Sequence, residues 1–191
     1  MPLKFSALVA AALMGVCGAA SAEVVTFSFS GTVSASTYLA PTGSTIAGSF
    51  SYETDHNPRR KDLPPGYNHT YADYTFSDPF TMSARVNGHA IGTSGLTVAV
   101  FNNNGGADMV DLNAYPAIVD GTTFANGSFG LVLVTTSGNT GVLHNTRLPR
   151  SYAVSQFDAG LSYGYLQSDG GQTGQLLQFT IDAIDVVAPQ R

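Results

Sequence analysis

Apolar residues from Val25 onward fall on every second position, not every third or fourth. Val25, Phe27, Phe29 and Val33 alternate with Thr26, Ser28, Ser30 and Thr32, and a period of two sends successive side chains to opposite sides of a sheet. Ile46, Phe50 and Tyr52 alternate with Thr45, Ala47, Ser49, Ser51 and Glu53, and Phe80, Met82, Ala84 and Val86 with Thr81, Ser83, Arg85 and Asn87. Asn87-Gly88 supplies the positive-φ pair of a type I′ hairpin, whose return strand runs through Ile91. Further strands are expected at Tyr71 to Phe76, Leu96 to Asn102, Met109 to Tyr115, Ser128 to Thr135, Leu161 to Gln167 and Gln175 to Val187. In Phe129-Gly130-Leu131-Val132-Leu133-Val134 both faces are apolar, which suits a central strand covered on both sides. Helical spacing never persists beyond about two turns; only Ser155 to Asp158 reads as a short helical turn. The expectation is an all-β, single-domain, two-layer antiparallel β-sandwich, jelly-roll-like, with about nine strands.

Charged residues make up 11% of the 191-residue chain, under half of the roughly 25% usual in soluble proteins. Eight Lys and Arg against 13 Asp and Glu give a net charge of −5. That leaves no basic surplus to neutralise phosphates, so a nucleic-acid partner is not expected. Lys4, the apolar run Phe5 to Val16 and the small-residue pattern Ala20-Ser21-Ala22 read as a signal peptide over residues 1–22, cut between Ala22 and Glu23. The run is too short for a bilayer-spanning helix, and Val16 stands where a lipoprotein site at Cys17 wants a small residue. The domain is then 23–191, without its one cysteine and so without a disulfide. Asn68-His69-Thr70 and Asn126-Gly127-Ser128 match glycosylation acceptors and are assigned no role.

The run Phe27 to Val33, then Gly43 to Ile46 and Ala47 to Tyr52, resembles the opening of PEP-CTERM-type exported bacterial proteins, which are associated with exosortases. Leu148-Pro149 to Phe157-Asp158 and Phe179-Thr180-Ile181 are similar to those proteins' closing strands. In that family a Pro-Glu-Pro signal, a transmembrane helix and a basic tail follow the domain; here Val187-Ala188-Pro189-Gln190-Arg191 stands in that place, and the mature chain is expected to carry no membrane anchor. The resemblance implies export by a Gram-negative bacterium, to periplasm or exterior, and association with an extracellular polysaccharide matrix. It brings no catalytic residues.

Chemistry-bearing patterns are sparse. Glycoside hydrolysis asks for two positioned carboxylates, and after cleavage only Glu23 and Glu53 remain as glutamates, with the aspartates mostly in turns. Gly92-Thr93-Ser94-Gly95 lacks the spacing of a nucleophile elbow. His56, His69, His89 and His144 form no metal-ligand pair. Asn102 to Asn104, Asp108 and Asp111 gather oxygen atoms around Gly105-Gly106, which turn chemistry explains without calcium. No catalytic residue, cofactor or metal is expected. Thr54 to Thr70 is the longest irregular stretch of the sequence and is expected to be a surface loop. Its Arg59, Arg60 and Lys61, with Tyr67, Tyr71 and Tyr74 nearby, form the candidate contact for an anionic glycan. The leading reading is a secreted, non-enzymatic matrix or surface-associated protein linked to extracellular polysaccharide. The alternative is a carbohydrate-binding module, and the third reading a secreted hydrolase.

Overall fold

The computed structural model describes residues 23–61, 70–169 and 174–187. The leader over 1–22, including Ala22, and Tyr67 lie outside the described residues. The fold is all-β, as the alternation requires. Its strands are β1 (Val24–Val33), β2 (Thr45–Glu53), β3 (Arg60–Lys61), β4 (Thr70–Ser77), β5 (Met82–Val86), β6 (His89–Thr93) and β7 (Gly95–Asn104). They continue with β8 (Ala107–Ala114), β9 (Ala117–Val119), β10 (Thr122–Phe124), β11 (Ser128–Val134), β12 (Tyr163–Gln167) and β13 (Gln175–Val186), with a 3-10 turn at Val154–Gln156. Among the described residues no helix is long and apolar enough to cross a membrane.

Among the described residues there are thirteen strands, where about nine were expected, in one antiparallel sheet that does not close. The additional β3, β9 and β10 are two or three residues long, too short for alternation to show. The order is β10-β9-β6-β5-β2-β1-β13-β12-β11-β8-β7-β4-β3. Successive hairpins therefore alternate between two halves that join where β1 meets β13. Strands β6 and β7 are eight places apart in this order, with only Ser94 between them in the chain. On a flat sheet eight places would be about 38 Å, far beyond the reach of so short a link. The sheet must therefore fold back over itself, and ring contacts between distant strands agree. Phe29 on β1 lies 6.1 Å from Phe129 on β11, and Tyr52 on β2 lies 5.9 Å from Phe76 on β4.

The enclosed face holds the core, with Phe27, Phe50, Leu112, Phe129, Leu131 and Phe179 essentially inaccessible. Rings at Phe27 and Phe50 stack at 4.9 Å. Strand β11 is internal to the sheet, yet its two faces differ: Phe129, Leu131 and Leu133 are buried, whereas Val132 and Val134 are half-buried on the outer side. The type I′ signal at Asn87-Gly88 is realised, with φ of 46° and 87° joining β5 to β6.

Among the described residues the longest irregular connection is 135–162, between β11 and β12. It contains Leu148 to Asp158, which the resemblance had placed among closing strands. This segment inserts Leu148, Tyr152 and Phe157 into the core. The Tyr52 hydroxyl donates to the Pro149 carbonyl at 2.6 Å and stands 2.8 Å from the Tyr152 hydroxyl. The Tyr74 hydroxyl donates to the Thr146 carbonyl at 2.8 Å.

Candidate functional site

Among the described residues strand β3 ends the sheet and is hydrogen-bonded to β4 alone, with Arg60 opposite Asp73 and Lys61 opposite Ala72. The basic triplet thus does not sit in a wholly irregular loop. Neighbouring side chains on a strand leave by opposite faces, so this short pairing divides the triplet. Arg60 shares the outer face with Asp73 and Tyr71, while Lys61 shares the face of Ala72 and Tyr74. Arg59 precedes the strand, and its N–H donates to the Asp73 carbonyl at 2.7 Å. Its guanidinium lies 3.5 Å from the Asp73 carboxylate, with side-chain exposures of 59% for the arginine and 6% for the aspartate. Tyr71 packs its ring at 4.7 Å against Phe101. Burial, and then the Asp73 carboxylate, hold the Tyr71 phenol above its ordinary range, against the opposing pull of Arg60 and Arg59.

The other face is where a cleft forms. Lys61 and Tyr74 meet His56, Asn57, Thr146 and Arg147 around a space of about 500 Å³, with Asp55 also in its wall. Burial raises the Tyr74 phenol, and Arg147 opposes the shift. The His56 ring lies 4.5 Å from Phe76, and its Nδ1 is 3.7 Å from the Glu53 carboxylate. Arg150 bridges Glu23 at 2.6 Å and Asp55 at 3.5 Å. The cleft therefore presents two cationic side chains, Lys61 and Arg147, beside amide and hydroxyl groups. Arg147 and His56 were not singled out from the sequence for this role. The connection 135–162 carries Arg147 across to β4, and no local pattern announces that.

The oxygen-rich stretch near Gly105-Gly106 is a turn with its own internal partners. Asp108 is wholly buried; Oδ1 accepts from the Asn103 N–H at 2.9 Å, and Oδ2 from Val142 and Leu143 at 3.0 and 2.7 Å. Its carboxylate fastens the 135–162 segment to the β7–β8 turn. Asp111 leaves by the outer face, and burial alone pushes its carboxyl up to about 6. No group of three or more His, Cys, Asp or Glu suited to a metal ion occurs among the described residues. His89 stands at a turn, its Nδ1 2.6 Å from Asp120 Oδ2. Hydrogen bonds from His89 and the Ala90 N–H lower the Asp120 carboxyl.

Comparison of the chain with protein-family models, curated proteins and solved structures finds no match.

Proposed function

We propose that the chain is a secreted, non-catalytic protein that associates with extracellular polysaccharide, its folded sheet forming a two-layer, jelly-roll-like sandwich. The observation that carries this reading is the cleft shared by Lys61, Arg147, His56 and Asn57. Two cations held on different segments can face successive carboxylates of an acidic glycan, while the amide serves hydroxyls. The PEP-CTERM-type resemblance of Phe27 to Tyr52 supports the same setting. Each exposed contact is individually weak and screened beyond about 8 to 10 Å at physiological salt, so binding to a polymer would depend on repeated contacts.

Electrophoresis through gels containing alginate tests the proposal. The secreted chain is expected to be retarded at low ionic strength and released by salt. A Lys61→Ser, Arg147→Ser double variant should lose at least tenfold in affinity with an unchanged β-type circular dichroism spectrum. Equal retardation of the parent and this folded double variant would overturn the proposal.

A further inference from the structure

The outer face of the second half of the sheet carries a different kind of surface. Register places Asn113 on β8, Gly130 on β11 and Tyr165 on β12 side by side in one row, with Ser128 and Gln167 paired in the next. A side chain at Gly130 would meet the Tyr165 hydroxyl at 2.7 Å and ring carbon Cζ at 2.8 Å. The ring therefore lies across β11, over the one residue that leaves room for it. A second ring, Tyr163, stands 6.1 Å away. The turn before β11 adds Asn126, and the end of β8 adds Tyr115, which is 48% exposed. Together these groups surround a cleft of about 730 Å³.

We infer that this cleft binds an uncharged polysaccharide chain, with the rings of Tyr165 and Tyr115 as platforms and Asn113, Asn126 and Gln167 as partners for sugar hydroxyls. The inference rests on the reading of the protein as polysaccharide-associated but uses other residues and an uncharged ligand. Three observations select that chemistry. First, among the described residues no cationic side chain lines the cleft, so no positive charge there selects an acidic polymer. Second, Asn113 Oδ1 is buried without a hydrogen-bond partner, and so is Asp111 Oδ1 two residues earlier on the same face. A buried acceptor without a donor is destabilising, and a sugar hydroxyl both donates and accepts. Small side-chain rearrangement on binding would bring Asn113 Oδ1 to that donor. Third, flat apolar rings beside a few amides match a ligand with an apolar C–H face and a polar rim.

Affinity electrophoresis with hydroxyethylcellulose, galactomannan or alginate in the gel distinguishes this site from the cationic cleft. The parent is expected to be retarded by at least one neutral polymer, in a manner insensitive to salt. A Tyr115→Ala, Asn126→Ala double variant changes two exposed residues and should lose at least tenfold in that retardation while keeping its response to alginate. Tyr165→Phe retains the platform and should still bind the neutral polymer. The Lys61→Ser, Arg147→Ser variant should show the opposite pattern. No retardation of the parent in either neutral gel, or retardation of the Tyr115/Asn126 variant equal to the parent's, overturns this inference. Failure in alginate alone counts against the cationic cleft instead.

Discussion

Asp108 and Asp111 both lie on β8 and leave it by opposite faces, so one strand gives two carboxylates opposite consequences. Asp108 is the acceptor for three backbone N–H groups. Asp108→Ala would remove the buried acceptor of three part-buried N–H groups and leave a void where the carboxylate sat, each lost hydrogen bond to a charged group costing about 1.5 to 3 kcal/mol where water does not replace it. The expected loss is about 3 kcal/mol or more in urea unfolding; a loss below about 1 kcal/mol would contradict the anchoring role. Asp111 is held above the usual carboxylate range by burial, up to about 6. The folded state then keeps its proton where the unfolded chain has released it, so stability falls as pH rises from about 4 to about 6 and is level above that. Asp111→Asn should flatten this fall and be more stable than the parent at pH 7, by on the order of 2 to 3 kcal/mol. Thermal unfolding across that pH window measures both; a variant less stable at pH 7 would show that the desolvation argument is wrong.

Longer elements such as β1 and β2 were legible because alternation has room to repeat, and β11 because its apolar run is continuous and of strand length. The β5–β6 hairpin was legible because Asn87-Gly88 accepts the backbone angles its turn demands. Strands β3, β9 and β10 were not, since two or three residues contain no period. Connection 135–162 was hidden for another reason: Leu148, Tyr152 and Phe157 reach the core from irregular backbone, where spacing carries no signal. For the cationic site the residue types Arg59 to Lys61 could be read in advance. Their division between faces could not, because it follows from Arg60 pairing with Asp73. Arg147 reaches the cleft only through tertiary structure. Tyr152 is the element's main anchor, with its ring 5.1 Å from Phe27 and 6.2 Å from Phe50. Tyr152→Ala should cost about 3 to 5 kcal/mol, as for other buried aromatics. It should also release the segment locally, so that trypsin cuts after Arg147 or Arg150 while Arg85, within β5, resists. First cleavage at Arg85 would show that the segment is not fastened through this ring.

Across the whole molecule, the first and last strands pair at the middle of the sheet, with Phe27 opposite Val186 and Val33 opposite Phe179. Such pairing closes a very long loop, and folds dominated by distant contacts form in milliseconds to seconds instead of microseconds. Stopped-flow refolding should therefore show a main phase in that slow range, and a microsecond main phase would contradict the topology. A chain ending at Gly174 would lack β13 and leave β1 paired only with β2 and β12 only with β11, so that the two halves of the sheet are no longer joined. It should show no cooperative unfolding transition in urea; a transition with the parent's slope would mean that the halves stand independently. The same pairing sets an order of events in folding. Hairpins formed by neighbouring strands can assemble early, but the central gap waits for the twelve-residue β13. Strand β13 is thus a closing latch: until it docks between β1 and β12 the two halves stay apart, and its docking commits the sheet to the finished shape.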